Sequence, residues 1–236
     1  MSECHSKVIV ALDFDNENQL EQLLDQLSPS HCRLKVGKEM FTYFGPKLVS
    51  RLVSKGFDVF LDLKFHDIPN TVAKACIAAA DLGVWMVNVH ASGGEKMMLH
   101  AKTELDKRFT CPPKLIAVTV LTSMDQLQLD GVVGGVTLKQ QVLRLAEMSQ
   151  RAQLNGVVCS ALEAQLIRQR LGKSFTLVTP GIRPQGFSED DQTRIVTPTT
   201  ALNYGVDYMV IGRPITQSND PVGCLKRINE EINQVS

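Results

Sequence analysis

Leu61-Asp62-Leu63-Lys64-Phe65-His66-Asp67-Ile68-Pro69-Asn70-Thr71 sets an apolar face against a charged one. Leu61, Leu63 and Phe65 recur at period two, the spacing of a strand, and Asp62 and Lys64 share the opposite face. Asp67 adds a third charge, and Pro69-Asn70 stop the strand and open a helix. Charges withdrawn from water are costly unless they pair. A charged pair at the carboxyl end of a strand, just before a βα loop, stands where an α/β barrel keeps its chemistry. Taken alone, the Asp-x-Lys reads equally well as a structural ion pair. The ends of the other strands weigh against that.

Working outward, strand-like apolar runs occur at Lys7–Asp13, Arg33–Gly37, Asp58–Phe65, Met86–Ala91, Leu115–Leu121, Gly156–Ser160, Thr176–Gly181 and Tyr208–Gly212. Helix-like stretches lie between them, among them Glu17–Leu27, Thr71–Leu82, Leu138–Gln153 and Ala161–Leu171. Strand and helix alternating in a chain of 236 residues predict a (β/α)8 TIM barrel, which typically needs about 250 residues. With no composition shift and no low-complexity linker, residues 1–236 read as one domain with its site at the carboxyl ends of the strands. A doubly wound sheet would call for Gly-x-Gly-x-x-Gly after an early strand. The first strand ends in Asp13-Phe14-Asp15 instead.

Several strands end in polar residues. Asp13 is in phase with Ile9 and Ala11; Arg33, Lys35 and Gly37 share a face; Asn88 and His90 alternate with Val87 and Val89. Barrel strands are covered on both sides, so polar alternation points these groups into the mouth. His90 by itself reads as a satisfied interior histidine, with support of a neighbouring group as the alternative. Five polar groups converging on one rim are harder to dismiss. Val210-Ile211-Gly212-Arg213-Pro214 ends the last strand, where barrels often bind phosphate. Gly212 admits backbone N–H groups to an anion and Arg213 offers a bidentate fork; a plain helix start with a solvated arginine is the competing reading. Strand seven runs into Thr179-Pro180-Gly181-Ile182-Arg183-Pro184 and a long polar loop, residues 187–193, which reads as a lid or as a surface insertion.

The chain carries 25 Lys and Arg against 25 Asp and Glu. That balance argues against nucleic-acid and membrane-surface roles, which need a basic excess, but leaves room for a local basic pocket. Its six cysteines are scattered with no Cys-x-x-Cys pair, and no signal-like or membrane-spanning apolar run is present. A reducing cytoplasm is the expected setting.

Asp62 to Thr71 closely resembles the signature of the orotidine 5′-phosphate decarboxylases. Four more segments agree in order: Ala11-Leu12-Asp13, Lys35-Val36-Gly37, Thr179 to Pro184, and Ile211 to Pro214. The resemblance runs from Val8 to Pro214, is greatest to the short single-function bacterial form, and shows no departure at a catalytic position. The Asp-x-Lys-x-x-Asp core is shared with Mg-dependent sugar-phosphate decarboxylases and synthases of the same suprafamily. Those relatives tend to carry an acidic metal ligand at the end of strand two, where this chain has Lys35.

The resemblance implies removal of CO2 from C6 of orotidine 5′-phosphate to give UMP, without cofactor or metal. It makes Lys64 the proton donor to C6 and sets Asp62 beside the substrate carboxylate. Lys35, Asp62, Lys64 and Asp67 form an alternating charge array, with Asp67 reaching the neighbouring site of a homodimer. Asp13 and Lys35 hold the ribose, with Thr71 contributed by the partner subunit. Thr122 contacts the pyrimidine, Arg183, Arg213 and Gly212 bind phosphate, and Gln192 bridges phosphate and base. The alternatives are the Mg-dependent sugar-phosphate reaction and a catalytically silent phosphosugar-binding barrel.

Overall fold

The structure, a computed structural model, describes residues 4–184 and 196–235. Eight parallel strands close on themselves in sequence order: β1 (Val8–Leu12), β2 (Arg33–Gly37), β3 (Val59–Phe65), β4 (Met86–His90), β5 (Lys114–Val118), β6 (Gly156–Val158), β7 (Thr176–Thr179) and β8 (Tyr208–Ile211). The helices that return the chain are α1 (Glu17–Leu24), α2 (Lys38–Ser54), α3 (Pro69–Asp81), α4 (Glu95–Arg108), α5 (Gln126–Asp130), α6 (Leu138–Arg151), α7 (Ala161–Leu171), α8 (Pro198–Asn203), α9 (Arg213–Thr216) and α10 (Pro221–Asn233). The expected (β/α)8 barrel is therefore the observed fold. No helix among the described residues is long and apolar enough to cross a membrane.

Local chemistry explains where the elements stop. β7 ends at Thr179, two residues short of the sequence expectation, because Pro180 has no N–H to give the ladder. β6 ends at Val158 because Ser160 is taken as the N-cap of α7, in a capping box with Glu163. α1 ends at Leu24 rather than Leu27; Gln26 and Leu27 form a turn ahead of Pro29. α2 is interrupted at Gly45, whose φ of 64° suits glycine and is followed by Pro46. β6 and β7 approach so closely that a Cβ on Gly156 would lie 2.0 Å from the Thr176 carbonyl oxygen.

Alternation along the strands divides the apolar side chains into two sets. One large set, including Val10, Leu34, Leu61, Val87, Ala117 and Leu177, packs between barrel and helices. A smaller set fills the barrel: Ile9, Ala11, Phe60, Met86, Ile116, Val178 and Val210. Five of the six cysteines are buried free thiols, and Cys111 is exposed. Burial pushes Cys32 and Cys76 up to about 12.

Arg33 corrects the expectation that every polar residue on the inner face of β2 points to the mouth. It plugs the opposite end. Its Nε pairs with Asp58 Oδ2 at 3.1 Å, its other nitrogens donate to the Cys4 and Ser6 carbonyls, and its guanidinium stacks 4.5 Å from the Trp85 ring and 5.0 Å from that of Tyr208. Period two assigns a face but not an end of the barrel. We predict that Arg33→Met destabilises the fold by about 3 kcal/mol, since it strands Asp58 and two carbonyls. Urea denaturation will test this; an unchanged midpoint would show that the plug is dispensable.

Candidate active site

At the carboxyl end of the barrel, β1, β2 and β3 bring four charged side chains into a line. Lys35 Nζ lies 3.7 Å from both Asp13 Oδ1 and Asp62 Oδ2. Lys64 Nζ donates to Asp62 Oδ1 at 2.6 Å. Asp62 is largely enclosed, its side chain 13% exposed. Burial raises its pKa, but Lys35, Lys64 and the Asn88 amide together outweigh that and hold it below the usual carboxylate value. Lys35 has room to lie there because its neighbour is Gly37: a Cβ at Gly37 would stand 3.1 Å from Lys35 Nζ.

Lys64 owes its aim to a break in β3. Leu61 pairs with Val87 and Phe65 with Val89, so four steps along β3 span two along β4. Within this bulge Lys64 adopts φ 53°, a conformation uncommon outside glycine that concentrates at functional sites. Asn88 on β4 spans the irregularity, accepting from Lys64 N at 2.8 Å and donating to Asp62 Oδ1 at 2.6 Å. The inner and outer faces expected for β3 nonetheless hold, since Leu63 and Phe65 pack on the outer core.

Lys35, Asp62 and Lys64 line a cavity of about 250 Å3. Its floor and walls are apolar, from Phe60, Val118, Val158, Pro180 and Val210, and Thr122 and Ser123 stand on its rim. Such a cavity suits a ring held against apolar surface with a few directed polar groups. Apart from Pro180, these walls are drawn from strands far apart in sequence and carry no motif. His90, at the end of β4, lies with its ring 5.7 Å from that of His66. Burial, aided by His66, Lys38 and Lys64 and opposed by Asp62, lowers its pKa and favours neutral imidazole.

The remaining expected site residues divide. Gly212 lies beside the charged line: a Cβ there would be 3.5 Å from Asp13 Oδ2. Arg213 opens α9 and is half-buried. Arg183 is buried past the end of β7, where its backbone N donates to Val196 O at 3.0 Å and Ile182 bridges Val196. That bridge joins the two ends of the long loop. Neither arginine lines the cavity. Asp67 and Thr71 are exposed, and Asp67 Oδ1 accepts from Ile68 N at 2.6 Å, so Asp67 does not extend the Lys35–Asp62–Lys64 line within the described residues of one chain. Gln192 and the rest of the Phe187–Gln192 loop lie outside the described residues.

A closed (β/α)8 barrel with a lysine-centred charge line over a cavity at the carboxyl ends of its strands defines a barrel enzyme. Residues 6–228 match the family described as orotidine 5′-phosphate decarboxylase / HUMPS. Orotidine 5′-phosphate decarboxylase of Pseudoalteromonas atlantica is 62% identical over 226 residues, 96% of this chain and 98% of that one. The Saccharophagus degradans protein of the same name is 56% identical, covering 98% and 96%. A crystal structure of orotidine 5′-phosphate decarboxylase from Lactobacillus acidophilus superposes with a TM-score of 0.84 at 40% identity, over 96% of this chain and 98% of that one. The chain belongs to the orotidine 5′-phosphate decarboxylase / HUMPS family.

Asp62's depressed pKa means that its ionised form favours the folded state above the ordinary carboxylate range, a contribution lost as pH falls through the lowered native value. We predict that Lys35→Met moves the Asp62 pKa upward, because the first of its compensating charges is gone. Carboxyl 13C NMR titration reads this directly; an unmoved Asp62 would show that Lys35 does not stabilise it.

Proposed function

We propose that this chain decarboxylates orotidine 5′-phosphate to UMP. The observation that carries the reading is the Lys64 ammonium held 2.6 Å from the largely enclosed Asp62 over an apolar cavity, in a chain 62% identical to a protein named for that reaction. In the proposed reaction the C6–carboxyl bond breaks, CO2 departs, and its electron pair stays on C6. Lys64 transfers a proton from Nζ to C6, and the amine left behind regains one from solvent. An ammonium at this point both stabilises developing negative charge and delivers the proton. Asp62 lies beside the departing carboxylate, where like charge is relieved as CO2 leaves.

The other assignments follow the same reading. Asp13 and Lys35 hold the ribose hydroxyls, and Thr122 on the cavity rim contacts the pyrimidine. Arg183, Arg213 and the backbone at Gly212 take the phosphate, with Gln192 bridging phosphate and base. Phosphate binding far from C6 supplies energy for closing the site over the reacting atoms. The Mg-dependent sugar-phosphate reaction is disfavoured by Lys35, whose positive charge already stands 3.7 Å from both Asp13 and Asp62. A cation there would meet repulsion in place of an acidic ligand.

A homodimer with Asp67 and Thr71 acting across the interface is supported by the surface around them. Ile68 is 66% exposed, and a groove of about 600 Å3 between α3 and α4 is lined by Ile68, Pro69, Leu99 and Thr103. Exposed apolar side chains beside a charged site mark an association surface.

The deciding assay follows loss of the orotate chromophore and appearance of UMP with excess EDTA present. Turnover is expected. Its absence in folded protein, with turnover of a sugar phosphate on adding Mg2+, would establish the other reaction. A second expectation concerns the interface: Lys64→Ala should lower turnover by about 10⁴-fold, and Asp67→Asn should also be impaired. Mixing the two should recover activity, because half of the sites in mixed dimers pair an intact Lys64 with an intact Asp67. No recovery on subunit exchange would place Asp67 within its own subunit's site.

A further inference from the structure

Asn88 has no part in the reaction as assigned above, yet it is fully buried where the backbone of β3 leaves regular geometry. A backbone N–H can only donate, so the Lys64 N contact fixes the amide orientation: Oδ1 faces Lys64 and Nδ2 must face Asp62. One side chain thus ties both members of the reactive pair. The bulge takes Lys64 N out of the β3–β4 ladder, and the Asn88 carbonyl oxygen replaces the missing ladder acceptor. Asp62 Oδ1 receives two donors at once, Lys64 Nζ and Asn88 Nδ2, each at 2.6 Å. An aliphatic side chain at this position would leave a buried N–H unsatisfied and free Asp62 to rotate. A carboxylate would repel it.

We propose that Asn88 is a positioning residue for the reaction: its amide holds Lys64 in the bulged conformation that aims the ammonium over the cavity, and holds Asp62 in the rotamer that receives it. The proposal rests on the decarboxylase reading for the reaction served, while the geometry it explains is independent of that reading. The charged groups around Asn88 are Asp62 and Lys64 on β3, Lys35 on β2 through Asp62, and His90 on its own strand; from β5 the register partner is Ile116, which has no charge.

The experiment compares wild type with Asn88→Ala and the isosteric Asn88→Asp, measuring kcat and KM for orotidine 5′-phosphate across pH, with calorimetric binding of UMP as a check that the site is formed. Losing a buried hydrogen bond to a charged group lowers kcat by about 10- to 100-fold in Asn88→Ala, with KM and UMP affinity changed less than about threefold. Asn88→Asp keeps an acceptor for Lys64 N but sets a carboxylate against Asp62. Its kcat falls at neutral pH and climbs as pH is lowered, because a proton shared by two carboxylates restores the donor; wild type shows no such climb. Wild-type kcat in both variants, or a pH profile of Asn88→Asp parallel to wild type, would overturn the assignment. If Asn88→Ala fails to fold, the Asn88→Asp profile decides alone. If wild type itself does not turn over, the decarboxylase reading fails, and the positioning role is decided by Asp62: NMR titration should show its pKa raised in Asn88→Ala, and an unchanged value would overturn it.

Discussion

A carboxylate that must stay ionised inside the barrel mouth governs the rest of the site. Asp62 is enclosed by protein, and an uncompensated charge in that setting costs several kcal/mol. The chain answers with two lysines and an amide, each from a different position around the barrel: Lys35 from β2, Lys64 from β3 itself and Asn88 from β4. Each imposes a local requirement. Lys35 needs the open space beside Gly37. Lys64 needs the bulge, since a regular strand would continue its side chain along the barrel wall rather than bring it back onto the residue two before it. The bulge in turn needs a substitute acceptor for Lys64 N. The irregularity of β3 is thus a consequence of keeping Asp62 charged.

The two ends of the barrel treat buried charge differently. At the floor, Arg33 is closed off by Asp58, two carbonyls and two aromatic faces. Each of its three nitrogens is engaged by protein, which makes it a strand-holding group. At the mouth, Lys64 lines a cavity and pairs with Asp62 alone among the described carboxylates. The same ingredients, a cation and a carboxylate in low-dielectric surroundings, give a structural plug where the set is closed and a reactive group where one side is open.

How much of this could be read from residues follows the same division. The strand at Asp62–Lys64, the order of eight strand–helix units and the phase of Asp13, Lys35, Asn88 and His90 all depend on period and polarity, which a sequence displays. Arg33 obeys the same period as Lys35, so nothing local could say that it points to the other end. The φ of Lys64 is invisible because lysine has no preference for that conformation; the tertiary requirement of Asp62 imposes it. Asn88 was visible as a mouth-facing polar residue, but its bond to Lys64 N exists only because of the bulge. The cavity walls Val118, Val158 and Val210 look like any buried strand residue and become a site only when the barrel closes. Asp67 and Thr71 stand out in the motif yet are exposed and do not line the cavity of their own chain.

The charge line also constrains how the proposed reaction can be driven. Asp13, Lys35, Asp62 and Lys64 alternate in sign and sum to zero, and Lys64 already touches Asp62 before any substrate arrives. The cavity therefore holds no surplus positive charge with which to bind the substrate carboxylate tightly in its ground state. A carboxylate placed beside Asp62 gains little from Lys64, whose charge is already engaged. Once CO2 leaves, the negative charge sits on C6 and one anion has departed from the neighbourhood of Asp62, so Lys64 turns toward C6 against weaker competition. Stabilisation then grows along the reaction rather than being spent on substrate. The energy to seat the carboxylate must come from elsewhere on the ligand, and the phosphate, proposed to bind at Arg183, Gly212 and Arg213, is the group able to supply it.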